Sequence, residues 1–205
     1  MKSTESVKAY DAPERVASYD ADMELMHPNR SKMVAIALEV LPFCVDVPLN
    51  ALDLGIGTSF YIGDFRELDG LIPAEQRFDV IYSSCALHHV SRRDKVSVIR
   101  QAMKRLKPGG WFLNADLIVA EDPAVEKRIQ EIRVAGIVRR ASGQHDRFLD
   151  VASTRRTLDD LEAKEADQPL TLLDDLSVLR EAGLRKPAVF WVEYRETVRG
   201  GMREA

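Results

Sequence analysis

The sequence is short of most features that mark a secreted, membrane-spanning or nucleic-acid-coating protein. It has 2 cysteines in 205 residues, Cys44 and Cys85, too few for a disulfide framework or a zinc site. A reducing, cytoplasmic setting is the expectation. No apolar run approaches the ~18 residues a membrane-spanning helix needs. The polar stretch from Met1 to Glu14 lacks the apolar segment of a secretory leader. Charge of one sign is missing as well. Lys+Arg 29 against Asp+Glu 33 give a net charge of -4, whereas a chain that grips a nucleic-acid backbone is usually basic. Neither a membrane nor a nucleic acid is therefore an expected partner.

What is present suits a globular enzyme or binding domain. Hydrophobic residues make up 45% of the chain, enough for a real core, and the length fits one domain over 1–205. Apolar spacing at Val16, Tyr19, Met23 and Met26 predicts a helix broken at His27-Pro28. Asn29 is a plausible N-cap for a second helix over 30–41. Apolar runs at 50–54 and 78–84 read as buried strands. Residues 95–106 carry an apolar face of Val96, Ile99, Met103 and Leu106, and Pro108-Gly109-Gly110 stops that helix. A strand over 111–119 follows. Asp122-Pro123 then opens a helix with a face of Val125, Ile129, Ile132 and Gly136. Residues 142–168 are polar and ambiguous. Thr171 and Asp174 resemble a capping box for 172–182, with Gly183 at its C-cap. Strands at 188–194 and around 196–198 come last. The alternation predicts an α/β fold, a mostly parallel sheet with helices on both faces and an antiparallel C-terminal edge.

The richest segment is Asp53-Leu54-Gly55-Ile56-Gly57-Thr58-Ser59, at the end of the first strand. Glycines there let backbone N–H groups approach a ligand closely, and the carboxylate can accept from an ammonium or a hydroxyl. Phe60 stands where the G-x-G-x-x-G fingerprint needs its third glycine, so an ordinary strand-to-helix turn would explain the segment alone. Its surroundings narrow the reading. D-L-G-I-G-T at 53–58, G-D-F at 63–65, F-D-V-I-Y-S-S-C-A-L-H-H-V at 78–90 and L-K-P-G-G-W-F at 106–112 follow in order. Together they resemble the class I S-adenosylmethionine-dependent methyltransferases, over about residues 13–201.

That resemblance implies a Rossmann-like fold, S-adenosylmethionine as cofactor and methyl transfer to a small-molecule acceptor. Asp53, Gly55, Gly57 and Thr58 would bind the methionine end. Asp64 would accept from the adenine amino group, the Phe65 backbone would meet the ring edge, and Ser84 would sit beside the methionine moiety. The N-terminal helices over 1–42, with Tyr19 and Arg30, would form a lid on an α/β core at 50–201.

The resemblance also exposes a gap. Its members carry a helix, a second strand and another helix between the glycine turn and the G-D-F segment. Here only the segment from Gly57 to Gly63 is available, while a crossover needs at least ~10–12 residues. The strand that would offer a carboxylate to the ribose hydroxyls is expected to be missing, and the N-terminal half of the sheet abridged. Residues 60–65 could form a strand with one sheet edge left open. Alternatively Tyr61, Phe65, Leu68 and Ile72 could share a helical face closed by Pro73. An abridged site leaves two other readings. One is a methyltransferase-like remnant that binds a partner or a second copy, as a homodimer, through the open edge. The other is a tRNA- or cofactor-modifying member of the superfamily.

His88-His89 is a further candidate. Adjacent residues do not share a helix face, which argues against a two-ligand metal site, and no metal is expected. His88 could be a general base, or it could belong to a structural turn bonded to backbone. Cys85 reads as a small buried hydrophobe, and Trp191 and Tyr194 as core packing or pocket lining. Arg92-Arg93, Arg139-Arg140, Arg155-Arg156, Asp159-Asp160 and Asp174-Asp175 read as solvated helix faces.

Overall fold

The computed structural model describes residues 21–44, 46–54 and 63–204. The chain falls into two compact units. One takes in residues 120–167 with the described residues up to Ser31; the other takes in 32–119 and 168–204.

The second unit holds the sheet. Its strands are β1 (Ala51–Asp53), β2 (Phe78–Ser84), β3 (Leu106–Leu117), β4 (Ala188–Glu193) and β5 (Glu196–Met202), in the order β1-β2-β3-β5-β4. β1, β2 and β3 run parallel. β5 is antiparallel to both β3 and β4, so β4 runs with the first three strands. The reversed strand is the inner member of the expected C-terminal pair. The β4–β5 turn has two residues, and Tyr194 takes φ +53 there, the left-handed backbone that two-residue hairpins demand.

Helices cover both faces, as the alternation predicts. Those of this unit are α1 (Arg30–Val40), α2 (Leu68–Leu71), α3 (Arg92–Arg105) and α6 (Leu172–Glu181), while the other unit holds α4 (Pro123–Ala141) and α5 (Val151–Glu165). Side chains alternate along a strand. Ile81 and Phe112 therefore face one way, into a core with Val96, Ile99 and Met103 of α3, Val178 and Leu179 of α6, and Leu68. Leu113, Ala115 and Val198 face the other way, against Met33 and Ala37 of α1. Ile81 and Phe112 are fully buried, and burying each contributes ~1.5–3 kcal/mol.

Several boundaries move for visible reasons. α3 begins three residues earlier than its apolar face suggests, because the Ser91 side chain caps it by accepting from Asp94 N at 3.2 Å. It ends at Arg105, and β3 starts at once. Phe78 pairs with Leu106 and Val80 with Trp111, so Lys107–Gly110 bulges out opposite Asp79. Lys107 Nζ pins the bulge at 2.9 and 2.8 Å from the Asp79 carboxylate. Over 63–72 the helical alternative holds for the described part: a 3₁₀ turn at Phe65–Glu67 runs into α2, and Leu68 and Ile72 are buried. Tyr61 lies outside the described residues. Among the described residues β1 is the edge of the sheet.

The first unit is helical. Asp122 caps α4, accepting from Ala124 N at 2.7 Å and Val125 N at 3.1 Å, with Pro123 at the first helical position. The buried side is Val134, Ile137 and Ala141, packed with Phe148 and Leu158, while Val125 is 51% exposed. The expected face thus shifts toward the C-terminal half of α4, where α5 supplies a partner. The ambiguous stretch 142–168 contains α5, started by a reciprocal capping box of Asp150 and Ser153. Arg133 ties α4 to α5 at 2.6 Å from Glu162.

Gly200 lies in β5 at φ +154, where a Cβ would drive into the carbonyl oxygen of Phe112. Gly200→Ala is expected to cost about 3 kcal/mol. Gly70, in α2, has open space where its Cβ would be, and Gly70→Ala should gain ~0.5 kcal/mol. Urea unfolding midpoints of the two variants check both signs.

Candidate functional site

Parallel strands bring their C-terminal ends to one rim, where open α/β sheets bind ligands. Here the rim carries Asp53 at the end of β1, Ser84-Cys85 after β2 and Asp116-Leu117 at the end of β3. Leu54 N donates to Tyr82 O and Cys85 N to Ala115 O, both at 2.9 Å, so the pairing holds to the edge. Cys85 then takes φ +47. A non-glycine residue there costs of order 1–3 kcal/mol. The turn it makes delivers the chain into the 3₁₀ segment Leu87–His89. Cys85 itself is half-buried, against the α1-side cluster.

His88 sits in that segment and is 4% exposed. Its Nδ1 lies 2.5 Å from Asp116 Oδ1, and its backbone N–H donates to Asp116 Oδ2 at 3.1 Å. Leu117 N also donates to Asp116 Oδ1, at 2.9 Å. A carboxylate on Nδ1 keeps the proton there and fixes the imidazole tautomer. Burial would raise the pKa of Asp116. The charge and hydrogen bond of His88, the charge of Arg199 and the Leu117 N–H outweigh burial and hold it well below the usual carboxylate range.

Further charges stand behind this pair. Arg199 Nη2 bonds Asp175 Oδ2. Lys95 Nζ lies 3.9 Å from Asp175 Oδ1 and donates to Gln168 O at 3.0 Å. Gln168 N donates in turn to His88 O at 2.6 Å. Lys95 and Arg199 are each 2% exposed, and Asp175 is 4% exposed. Burial pushes Asp175 up, against the pull of Arg199 and Lys95. Burial also pushes Lys95 down, against Asp175 and Asp116.

The placement of Asp175 corrects the sequence reading of Asp174-Asp175 as a solvated face. Only Asp174 serves the cap: its backbone N–H bonds the Thr171 hydroxyl, which donates to its carboxylate at 3.0 Å. Successive helical side chains diverge by ~100°, so Asp175 turns in toward the sheet. A signal for this was available. Ser91-x-x-Asp94 and Thr171-x-x-Asp174 are the same cap, and in each the next residue, Lys95 or Asp175, is the buried charge.

The cofactor candidates divide. Asp53 pairs in register with Tyr82, and Ser84 lies two residues on, so both project to the face that α1 covers. Asp116 follows Phe112 and Asn114 on the opposite face. Asp64 caps the 3₁₀ turn, accepting from Arg66 N at 2.9 Å and from Arg66 Nε at 3.0 and 2.8 Å. The Arg66 hydrogen bond lowers its pKa. Phe65 packs against the main core. Arg30 opens α1, and its N–H donates to His27 O at 3.1 Å. Gly55, Gly57, Thr58 and Tyr19 lie outside the described residues.

Residues 50–112 match a family described as a methyltransferase domain. The solved O-methyltransferase family protein from Burkholderia thailandensis is similar to this chain at a TM-score of 0.57 and 15% identity, over 96% of this chain and 61% of that one. The chain has the class I methyltransferase fold. The S-adenosylmethionine-dependent methyltransferase SibL, in its apo form, is similar at a TM-score of 0.44 and 15% identity, over 70% of this chain and 35% of SibL. The chain thus spans about a third of SibL. No curated protein matches it. Within the methyltransferase fold, the matched stretch runs from before β1 into β3 and contains Asp53, Asp64, Phe65, Ser84 and His88. Among the described residues, no helix is long and apolar enough to cross a membrane.

Asp116 has a folded pKa below its unfolded value of ~3.9, so its charge contributes stability that is present above that value and lost as pH falls through the folded pKa. Asp116→Asn is expected to destabilise the protein by about 3–5 kcal/mol at pH 7. The difference from the parent protein should shrink below about pH 4, as read from urea unfolding at both pH values.

Proposed function

We propose that the protein transfers the methyl group of S-adenosylmethionine to a small-molecule acceptor. The observation that carries this reading is that the stretch matching a methyltransferase domain supplies the strand ends of the rim, from Asp53 to His88. The residues present fit the cofactor in part. Asp53 offers a carboxylate to an ammonium group at the end of β1. Asp64 is engaged by Arg66 through the backbone N–H, Nε and Nη2, which fill the about four acceptor positions of a carboxylate, so an adenine amino group would have to displace part of that pairing. Ser84 adds a hydroxyl on the Asp53 side of the rim. Among the described residues no strand lies beyond β1 to present a carboxylate to ribose. Each missing charge-assisted bond costs ~1.5–3 kcal/mol, so an affinity tens- to thousands-fold below that of a full site is expected.

When bound, S-adenosylmethionine supplies an electrophilic methyl on a sulfonium. Asp53 would hold its methionine end, and Asp64 its adenine end in exchange for part of the Arg66 pairing. The rim orients the acceptor for in-line attack and excludes water. His88, with its Nδ1 proton held by Asp116, takes up the acceptor's proton at Nε2.

A second reading rests on β1 being the outermost of the described strands. There the chain is a methyltransferase-like interaction module whose edge is completed by a second copy. A mass independent of concentration in size-exclusion chromatography would remove it.

The leading reading is tested by thermal melting with S-adenosylmethionine and S-adenosylhomocysteine. Ligand at ~100 times its dissociation constant should add ~2.7 kcal/mol, a rise of several degrees at ~2–4 °C per kcal/mol. Asp53→Ala should abolish the rise. A cooperative melt unmoved by millimolar ligand would overturn the proposal.

A further inference from the structure

Five charged or titratable side chains, with the backbones of His88 and Gln168, form an open circuit beneath the rim, and its two ends, Asp116 and Arg199, are diagonal neighbours across β3 and β5. At one end His88 Nδ1 meets Asp116 at 2.5 Å, and at the other stands Arg199, whose positive charge favours the ionised form of Asp116. Arg199 bonds Asp175, and Asp175 faces Lys95 at 3.9 Å. Lys95 donates to Gln168 O at 3.0 Å, and Gln168 N returns to His88 O at 2.6 Å. Every side chain in the circuit is at most 4% exposed.

We propose that Arg199 and Asp175 are positioning residues, which through this circuit lock the Asp116 carboxylate and hence the His88 imidazole in one orientation and one tautomer. The proposal rests on the reading of His88 as the proton acceptor in methyl transfer. Register explains why Arg199 stands beside Asp116. Arg199 pairs with Asn114 and Thr197 pairs with Asp116, so Arg199 and Asp116 are diagonal neighbours on one face of the sheet. The planar guanidinium meets Asp175 with one nitrogen while its charge acts on Asp116.

Stability alone is a poor reason for such a cluster. Buried ion networks are often no more stabilising than apolar packing of the same volume. The same face is apolar one step away, at Ile81, Phe112, Val178 and Leu179. What apolar side chains could not supply is a fixed direction for Asp116. The circuit also ties β3, β5, α3, α6 and the His88 turn to one another, so the imidazole is referenced to five elements at once.

The test is nitrogen-15 NMR of the four histidine rings, at a pH above their titration, with His88 assigned through its loss in His88→Gln. The parent protein should show His88 protonated at Nδ1, with that proton slow to exchange. Arg199→Met should lose protection by about tenfold and show mixed tautomers, a change of ~1.4 kcal/mol. Arg199→Lys should restore the single tautomer. If Arg199→Met shows no cooperative melt, Asp175→Asn, which keeps the shape and removes the charge, is read in its place and should show the same loss. An unchanged Nδ1 signal in whichever variant folds overturns the proposal, as does a parent protein without the signal. A merely structural role would lower the melting temperature and leave the tautomer alone. S-adenosylhomocysteine melting of the parent protein is scored separately. An intact His88 signal without a ligand shift sinks the methyl-transfer reading and leaves the circuit standing; a ligand shift without the signal does the reverse.

Discussion

A carboxylate kept charged beneath two helices has to be neutralised from several sides, and the end of the sheet is organised around that need at Asp116. The left-handed turn at Cys85 brings His88 over it. The backbone of Leu117 bonds it from below, and the reversed strand β5 carries Arg199 alongside. Arg199 is itself buried and requires Asp175, and Asp175 faces Lys95. The start points of α3 and α6 follow from this. Each is set by a Ser or Thr cap that leaves the fourth helical residue facing the sheet. Local capping chemistry thereby places charges that serve a tertiary purpose.

The rim has two sides with different characters. Asp53 and Ser84 belong to the face covered by α1, while Asp116 belongs to the face covered by α3 and α6. A ligand lying across the strand ends would meet an anionic anchoring group on one side and an imidazole–carboxylate pair on the other. In doubly wound sheets the binding crevice lies where the strand order reverses, with strands on both sides. Here β1 is the edge among the described strands.

Much of this was legible in the sequence, and the parts that were not share a cause. β2 falls at 78–84 as its apolar run suggests, and Asp122-Pro123 and Thr171 cap helices as local chemistry requires. These features depend on neighbours in the chain. The buried side of α4 depends on where α5 packs, and no periodicity in α4 alone reveals that. The switch from helix to strand at Leu106 depends on a bulge opposite Asp79, stabilised by Lys107. Asp175 looks like a surface acid until Arg199 is placed beside it from a distant strand. His88 was visible as a candidate, but its partner Asp116 was visible only as part of a strand, because β2 and β3 are brought side by side by the fold.

The position of β5 also bears on how the protein comes to be folded. β3 and β4 both precede β5 in the chain, yet β5 lies between them. Until Glu196–Met202 has been made and inserted, the flank of β3 from Trp111 to Leu117 has no hydrogen-bonding neighbour on that side, and Asp116 lacks the guanidinium beside it. Such distant pairing closes late and slowly, and an unpaired apolar strand edge is a ready template for the wrong partner. The strand that completes the site is therefore also the step most exposed to misassembly during synthesis.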